Sequence, residues 1–528
     1  MKKLSLFFLL FLLGTMVNGQ FVQIAEGPVF AEPGPGYAKI LQMKNNNTIF
    51  FYFNLSGGLN VQVYDAEYKA RTEAMIEPSY GIIHGFNIEG IFEINGDAVV
   101  LISNASETSN ILYRLILNGK TGELKEEKQI ASLKKPAAKK EAITGLRPVF
   151  HVSKYSEGEM YAVSTINDYI SDTSRRVELV LYGNDNKEIK RAHYSGPQKY
   201  KYLQYVDMTV INPDRVVAFI YGYNIEDNEK EGELILAAID KGPVALGFTE
   251  LPSFSNDLVI DKGITRYDPF SQRIIMLITA NVKSDSGMIN SFLVTIDPVT
   301  KNLVESNPID AGDRINKKFG EMYKRIYKGI PQNLFIKDNG GYTIIYEEIE
   351  AGKQKDTISH VSVRNIAVVD YDIERQVTSG FLIPIDQDIT SATETAFDHS
   401  RRQFAGQRFD GQHFLQGNQY KSSLYISDGH TTFVLFNDTQ ANVTAQSDGK
   451  GSQLKDVYNA DAFCYKLSGK DIVPKAGYVF GKPVNKEEHT PGLFSVYDYD
   501  RSNNLLITCR VEKLGSYPGI KLVWLQPN

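Results

Sequence analysis

The sequence predicts an all-β chain built from one repeated, four-stranded antiparallel unit, and three observations carry the prediction. The first is composition. Tyr (30), Phe (28) and Gly (42) are plentiful, β-branched runs are frequent and helical periodicity is almost absent. The second is a short motif, an apolar strand, a polar turn and a denser apolar strand, that recurs eight times. The third is a second, more polar hairpin that follows each of the first seven copies.

In chain order the first hairpins are "ILQMKNNNTIFFYF" (40–53), "IFEINGDAVVLIS" (91–103), "HVSKYSEGEMYAVST" (151–165) and "DMTVINPDRVVAFIY" (207–221). They continue with "ITRYDPFSQRIIMLIT" (264–279), "LFIKDNGGYTIIYEE" (334–348), "SLYISDGHTTFVLFN" (423–437) and "FSVYDYDRSNNLLIT" (494–508). Asn, Asp, Gly or Ser in the middle of each supplies turn chemistry. The dense apolar run that ends each one fits a strand buried on both faces. Second hairpins such as "LNVQVYDAEYKARTEAMI" and "NIAVVDYDIERQVTSGFLI" place a polar strand last, which suits an exposed edge.

Four strands repeating at roughly 65 residues resemble the blades of a β-propeller. The resemblance covers nearly all of the chain and is one of architecture. The sequence has no regular Trp-Asp ending, no Asp box and no calcium-loading loop. The eighth copy runs into "IKLVWLQPN" and lacks a fourth strand, while "FVQIAEGPVF" (21–30) is spare. The resemblance therefore implies a single eight-bladed propeller whose last blade is closed by an N-terminal strand, with seven blades as the alternative.

The start of the chain is of another kind. "MKKLSLFFLLFLLGTMVNGQ" has a two-lysine head and an apolar core of roughly ten residues, too short to span a bilayer. Residues 1–19 are expected to be a signal peptide, with the propeller occupying 20–528 and the protein periplasmic or extracellular. The formal charge of −6 becomes −8 without Lys2 and Lys3, which argues against a nucleic-acid partner. No later stretch is long and apolar enough for a transmembrane helix.

Strand order assigns the connections to two faces. The 1–2 and 3–4 turns lie on one, and the 2–3 loops and blade-to-blade links on the other. The long insertions, 131–150, 310–333, 385–422 and 438–458, all belong to the second class. Insertions on a rigid scaffold are where binding usually resides. Two of them are basic: 131–150 and 312–330 each carry a net charge of +4. In the latter, Ile315, Phe319, Met322 and Ile326 fall at helical spacing, predicting a short amphipathic helix. Tyr200, Tyr202 and Tyr205 of "YKYLQY" precede blade 4, and His399, Arg401, Arg402 and Arg408 lie in the longest insertion. With Lys324 and Arg325, these are the candidate binding residues.

Signals of chemistry are sparse. The eight histidines show no zinc-ligand spacing, and neither a nucleophile elbow nor a Walker A loop occurs. Asp498 and Asp500 form a carboxylate pair that fits turn roles better than acid–base catalysis. Cys464 and Cys509, the only cysteines, fall on neighbouring blades; a disulfide and two buried thiols are both compatible with that placement. The sequence thus predicts a monomeric, non-catalytic binding or scaffolding protein with no cofactor or metal. It would engage a protein or carbohydrate polymer through the insertion-bearing face. The alternative is a hydrolase or lyase acting on glycans at the channel mouth.

Overall fold

The computed structural model describes residues 20–528 except 32–33, 55–57, 79–85, 106–107, 135–149, 168–175, 195–198, 227–228, 241–246, 251–257, 283–284, 352–359, 391–396, 398–422, 446–450, 455–458, 469–470, 484–487 and 515–516. The signal-peptide segment lies outside these residues. Strands pair into eight antiparallel sheets, seven of them simple meanders. Blades 1 to 7 occupy 36–76, 86–134, 150–194, 202–250, 258–308, 330–390 and 424–478. Blade 8 takes its three inner strands from 492–527 and its outer strand from Phe21–Glu26, which pairs antiparallel with Tyr517–Pro527. The chain is an eight-bladed β-propeller.

Burial explains why these segments form these strands. The second strand of blade 1, TIFFYFN (Thr48–Asn54), is buried on both faces up to its last residue. The outer strand ARTEAMI (Ala70–Ile76) is mostly exposed. Side chains of a strand alternate between its two faces, so each inner strand feeds the interfaces on both sides of its blade. In blade 1, Ile49, Phe51 and Phe53 join a cluster with Ile91, Val100 and Leu115 of blade 2, whereas Phe50 and Tyr52 join one with Leu493, Ile507 and Trp524 of blade 8. The eight hydrophobic clusters correspond one to one with the eight blade interfaces. That correspondence closes the ring.

The closure is reinforced at its edge. Glu26 of the N-terminal strand accepts from Arg510 Nη2 (2.9 Å) and pairs with Lys521 Nζ (3.1 Å), and both cations also meet Glu512. Gln20 and Asn528 join through a backbone hydrogen bond of 3.0 Å.

The two faces differ as the connections predict. The 1–2 and 3–4 turns span two to eight residues. Several are stitched together: Lys44 pairs with Glu159, whose other oxygen accepts the Asn95 N–H, and Asp338 receives both Arg501 and His430. The opposite face carries α1 (Gly312–Tyr323) between blades 5 and 6, and α2 (Gln440–Ala445) within blade 7.

Cys464 and Cys509 are free and buried, and no disulfide joins them. The reason is the two-residue alternation. Cys464 packs into the interface of blades 7 and 8, and Cys509 into that of blades 8 and 1, so the blade 8 sheet lies between them.

Candidate functional site

On the insertion-bearing face, α1 packs against the seam between blades 5 and 6. Its Ile315 and Phe319 are buried in the cluster between blades 5 and 6, as the helical spacing predicts. The stripe does not continue to Ile326. The helix ends at Tyr323, and Lys324 adopts a left-handed conformation (φ 57°, ψ 28°) whose N–H bonds to Gly320 O. Glycine usually occupies that position. After it, side chains alternate inward and outward.

Arg325 points inward. Its guanidinium lies over the Phe319 ring at 4.8 Å and forks onto the buried carboxylate of Glu348 at 2.5 and 3.0 Å. Glu348 also accepts Asn365 Nδ2 at 2.7 Å. Tyr327 is buried, with its hydroxyl at 2.9 Å from Asn365 O and accepting the Ala367 N–H at 3.1 Å. Arg325 is therefore committed to Glu348, a partner 23 residues away that inspection of the insertion alone does not reveal. Lys324 is exposed, and Ile326 is 69% exposed.

Of the three tyrosines expected before blade 4, only Tyr200 precedes it, Tyr202 and Tyr205 lying in its first strand (Tyr202–Asn212), and all three are packed. Tyr200 is buried, with the Lys199 ammonium 4.8 Å from its ring centre. Tyr202 stacks on Tyr223 at 5.3 Å, and Tyr205 lies parallel to His151 at 3.4 Å. His399, Arg401, Arg402 and Arg408 lie outside the described residues.

The innermost strands hold a feature that sequence inspection did not single out. Six successive blades present Asp498 (blade 8), Lys39 (1), Glu93 (2), Lys154 (3), Asp207 (4) and Arg266 (5) on their inner strands, alternating in sign, whereas the inner strands of blades 6 and 7 carry no charged residue. Three of the carboxylates have the same task. An innermost strand has no neighbour on its axial side, so its outward N–H groups need acceptors. Asp498 accepts Gln42 N (2.7 Å) and Asp207 accepts Thr265 N (2.5 Å) of inner strands, and Glu93 accepts Lys44 N (2.6 Å) of the turn just beyond the blade 1 inner strand, each across a blade boundary. Burial pushes the Asp498 carboxyl up to about 6. Burial, with Lys44 nearby, pushes the Lys154 ammonium down. Of the pair expected in turns, Asp500 caps its turn through Ser502 N and Asn503 N, whereas Asp498 reaches across to blade 1.

Blade 7 adds a buried polar group on the insertion face. Asp438 accepts Thr439 N and Asn442 Nδ2, both at 2.7 Å. Burial, and further the charge of Asp386, push it up to about 6. Asp461, opposite it in the ladder, accepts from His489 and Thr490. Among the described residues, no group of three or more His, Cys, Asp or Glu side chains is placed to hold a metal. Among the same residues, no helix is long and apolar enough to cross a membrane.

No family model matches the chain, and no curated protein matches it. Solved structures similar to it include the Dos1 propeller, 9% identical with a TM-score of 0.43 and 97% of each chain covered. The BP39L lectin from Burkholderia pseudomallei is 12% identical with a TM-score of 0.37, covering 84% of this chain and 99% of that one. The polysaccharide lyase Uly1 is 8% identical with a TM-score of 0.37, covering 86% and 93%. These likenesses concern the fold alone, which stands independently on the strand pairing.

Proposed function

We propose that the protein is an exported, non-catalytic binding propeller that engages a protein or polymer partner through its insertion-bearing face. The observation that carries the reading is the asymmetry of the two faces. One is made of tight turns tied to each other by ion pairs, and the other gathers α1, α2 and the long connections. A rigid ring presenting variable connections on one side is suited to recognition.

The catalytic alternative would use Asp498, the inner-strand carboxyl whose burial keeps it protonatable near pH 6. Both of its oxygens are engaged, Oδ2 with Gln42 N and Oδ1 with Tyr499 N, so it serves the ring before any substrate.

The test is affinity capture from the native envelope fraction. Wild type is compared with a variant whose residues 398–412 are replaced by a Gly-Ser linker of equal length. A specific partner retained by wild type and lost by the variant supports the reading. Absence of any specific partner, together with turnover of a glycan by the purified protein, would replace it with the catalytic one.

A further inference from the structure

We infer that the connection from blade 5 to blade 6 is a peripheral docking site for a lipid surface with anionic headgroups. The inference rests on the insertion-bearing face being the working face, and it names the class of partner for one part of that face.

Three observations carry it. The first is charge. With Arg325 neutralised by Glu348, residues 312–330 still hold Arg314, Lys317, Lys318, Lys324 and Lys328 against Asp313 and Glu321. Lys317, Lys318 and Lys328 form no ion pair with any described residue, although most described arginines and many lysines of the protein do. The second is an apolar side chain where solvent should discourage one. Among the described residues, Ile326 is the most exposed large hydrophobic side chain, between exposed Lys324 and Lys328.

The third is rigidity. A non-glycine residue in the left-handed region, as Lys324 is, persists where its surroundings impose that conformation. Here the Arg325–Glu348 fork and the Tyr327 hydroxyl network impose it. Arg325 and Tyr327 are the inward anchors, and Lys324, Ile326 and Lys328 are what the turn presents. An observed strained turn that displays two cations around an isoleucine is a shaped surface.

Its chemistry selects the occupant. A hydrated acidic polymer would satisfy the ammonium groups and leave Ile326 in water. A bilayer takes both, the ammonium groups at its phosphates and the isoleucine just beneath them. One apolar side chain and a few lysines give reversible, salt-sensitive adsorption rather than insertion.

The experiment is co-sedimentation of the purified protein with phosphatidylcholine vesicles, with and without phosphatidylglycerol, at low and raised NaCl. The expected result is binding that requires phosphatidylglycerol and weakens with salt. Each lysine removed should weaken it about fivefold, so Lys317→Gln/Lys324→Gln/Lys328→Gln should weaken it about a hundredfold. Ile326→Ser should weaken it several-fold while keeping the same salt dependence. All these side chains are exposed, so the melting temperature should stay that of wild type and report intact folding. No sedimentation of wild type at low salt would overturn the inference. So would unchanged binding by Ile326→Ser, or retention on an alginate resin with none on vesicles. If it falls while the 398–412 replacement still abolishes partner capture, the reading of the face survives without it.

Discussion

Trp524, the single tryptophan, donates its indole N–H to Thr48 Oγ1 at 2.9 Å across the interface where blade 8 meets blade 1. Both side chains are fully buried, and Thr48 in turn donates to Gln42 Oε1 at 2.6 Å. The last blade is thereby tied to the first by a polar relay inside an apolar seam.

The relay predicts the effect of Thr48→Val, which keeps the shape and removes the hydroxyl. The substitution leaves a buried indole N–H and an amide oxygen without their partner. It should cost about 1–3 kcal/mol in denaturant unfolding. Trp524 fluorescence reports the same seam, so its transition should move with that of the whole ring. An unchanged midpoint would mean that the relay contributes nothing to closure.

Asp438 predicts a pH dependence. Its carboxyl is raised from 3.8 to about 6 by burial, so the folded state holds the proton more tightly than the unfolded chain does. For a raised acid, the cost of the buried charge is absent below 3.8 and complete above about 6; stability from this group therefore falls as pH rises through that window. Asp438→Asn keeps an acceptor for Thr439 and Asn442 and removes the charge facing Asp386. It should stabilise the protein at neutral pH by up to about 3 kcal/mol, with the gain vanishing near pH 4. Thermal melting of the two proteins across that range checks it, and a gain that is constant with pH would contradict the cause.

The two thiols predict a simple titration. Burial pushes both up, and they face opposite sides of the blade 8 sheet. The native protein should show no thiol reactive to Ellman's reagent, and two after denaturation without reductant. None after denaturation would demonstrate a disulfide.

The blades were legible because a local pattern specifies them. Residues such as Ile49, Phe51 and Phe53 mark a doubly buried strand, and Asp500 or Asn95–Gly96 mark its turn, without reference to distant chain. The missing fourth strand of the last copy likewise pointed to the N-terminal one. What was not legible depends on tertiary partners. The end of α1 at Lys324 follows from anchors in blade 6, since neither glycine nor proline stops the helix there. Arg325 looks free until Glu348 is brought beneath it, and Tyr200 looks open until blade 4 packs around it. Asp498 resembles another turn aspartate until the ring sets it against the Gln42 N–H. The cysteines share neighbouring blades, and only the strand's phase decides which interface each enters.

The most direct test of the central claim compares the two faces in one capture experiment. One variant carries the linker in place of residues 398–412. The other carries Phe270→Ser and Val299→Ser, two exposed apolar side chains on the turns of the opposite face. The account predicts that the partner held by wild type is lost by the first variant and retained by the second. Loss by the turn-face variant with retention by the loop variant would contradict it.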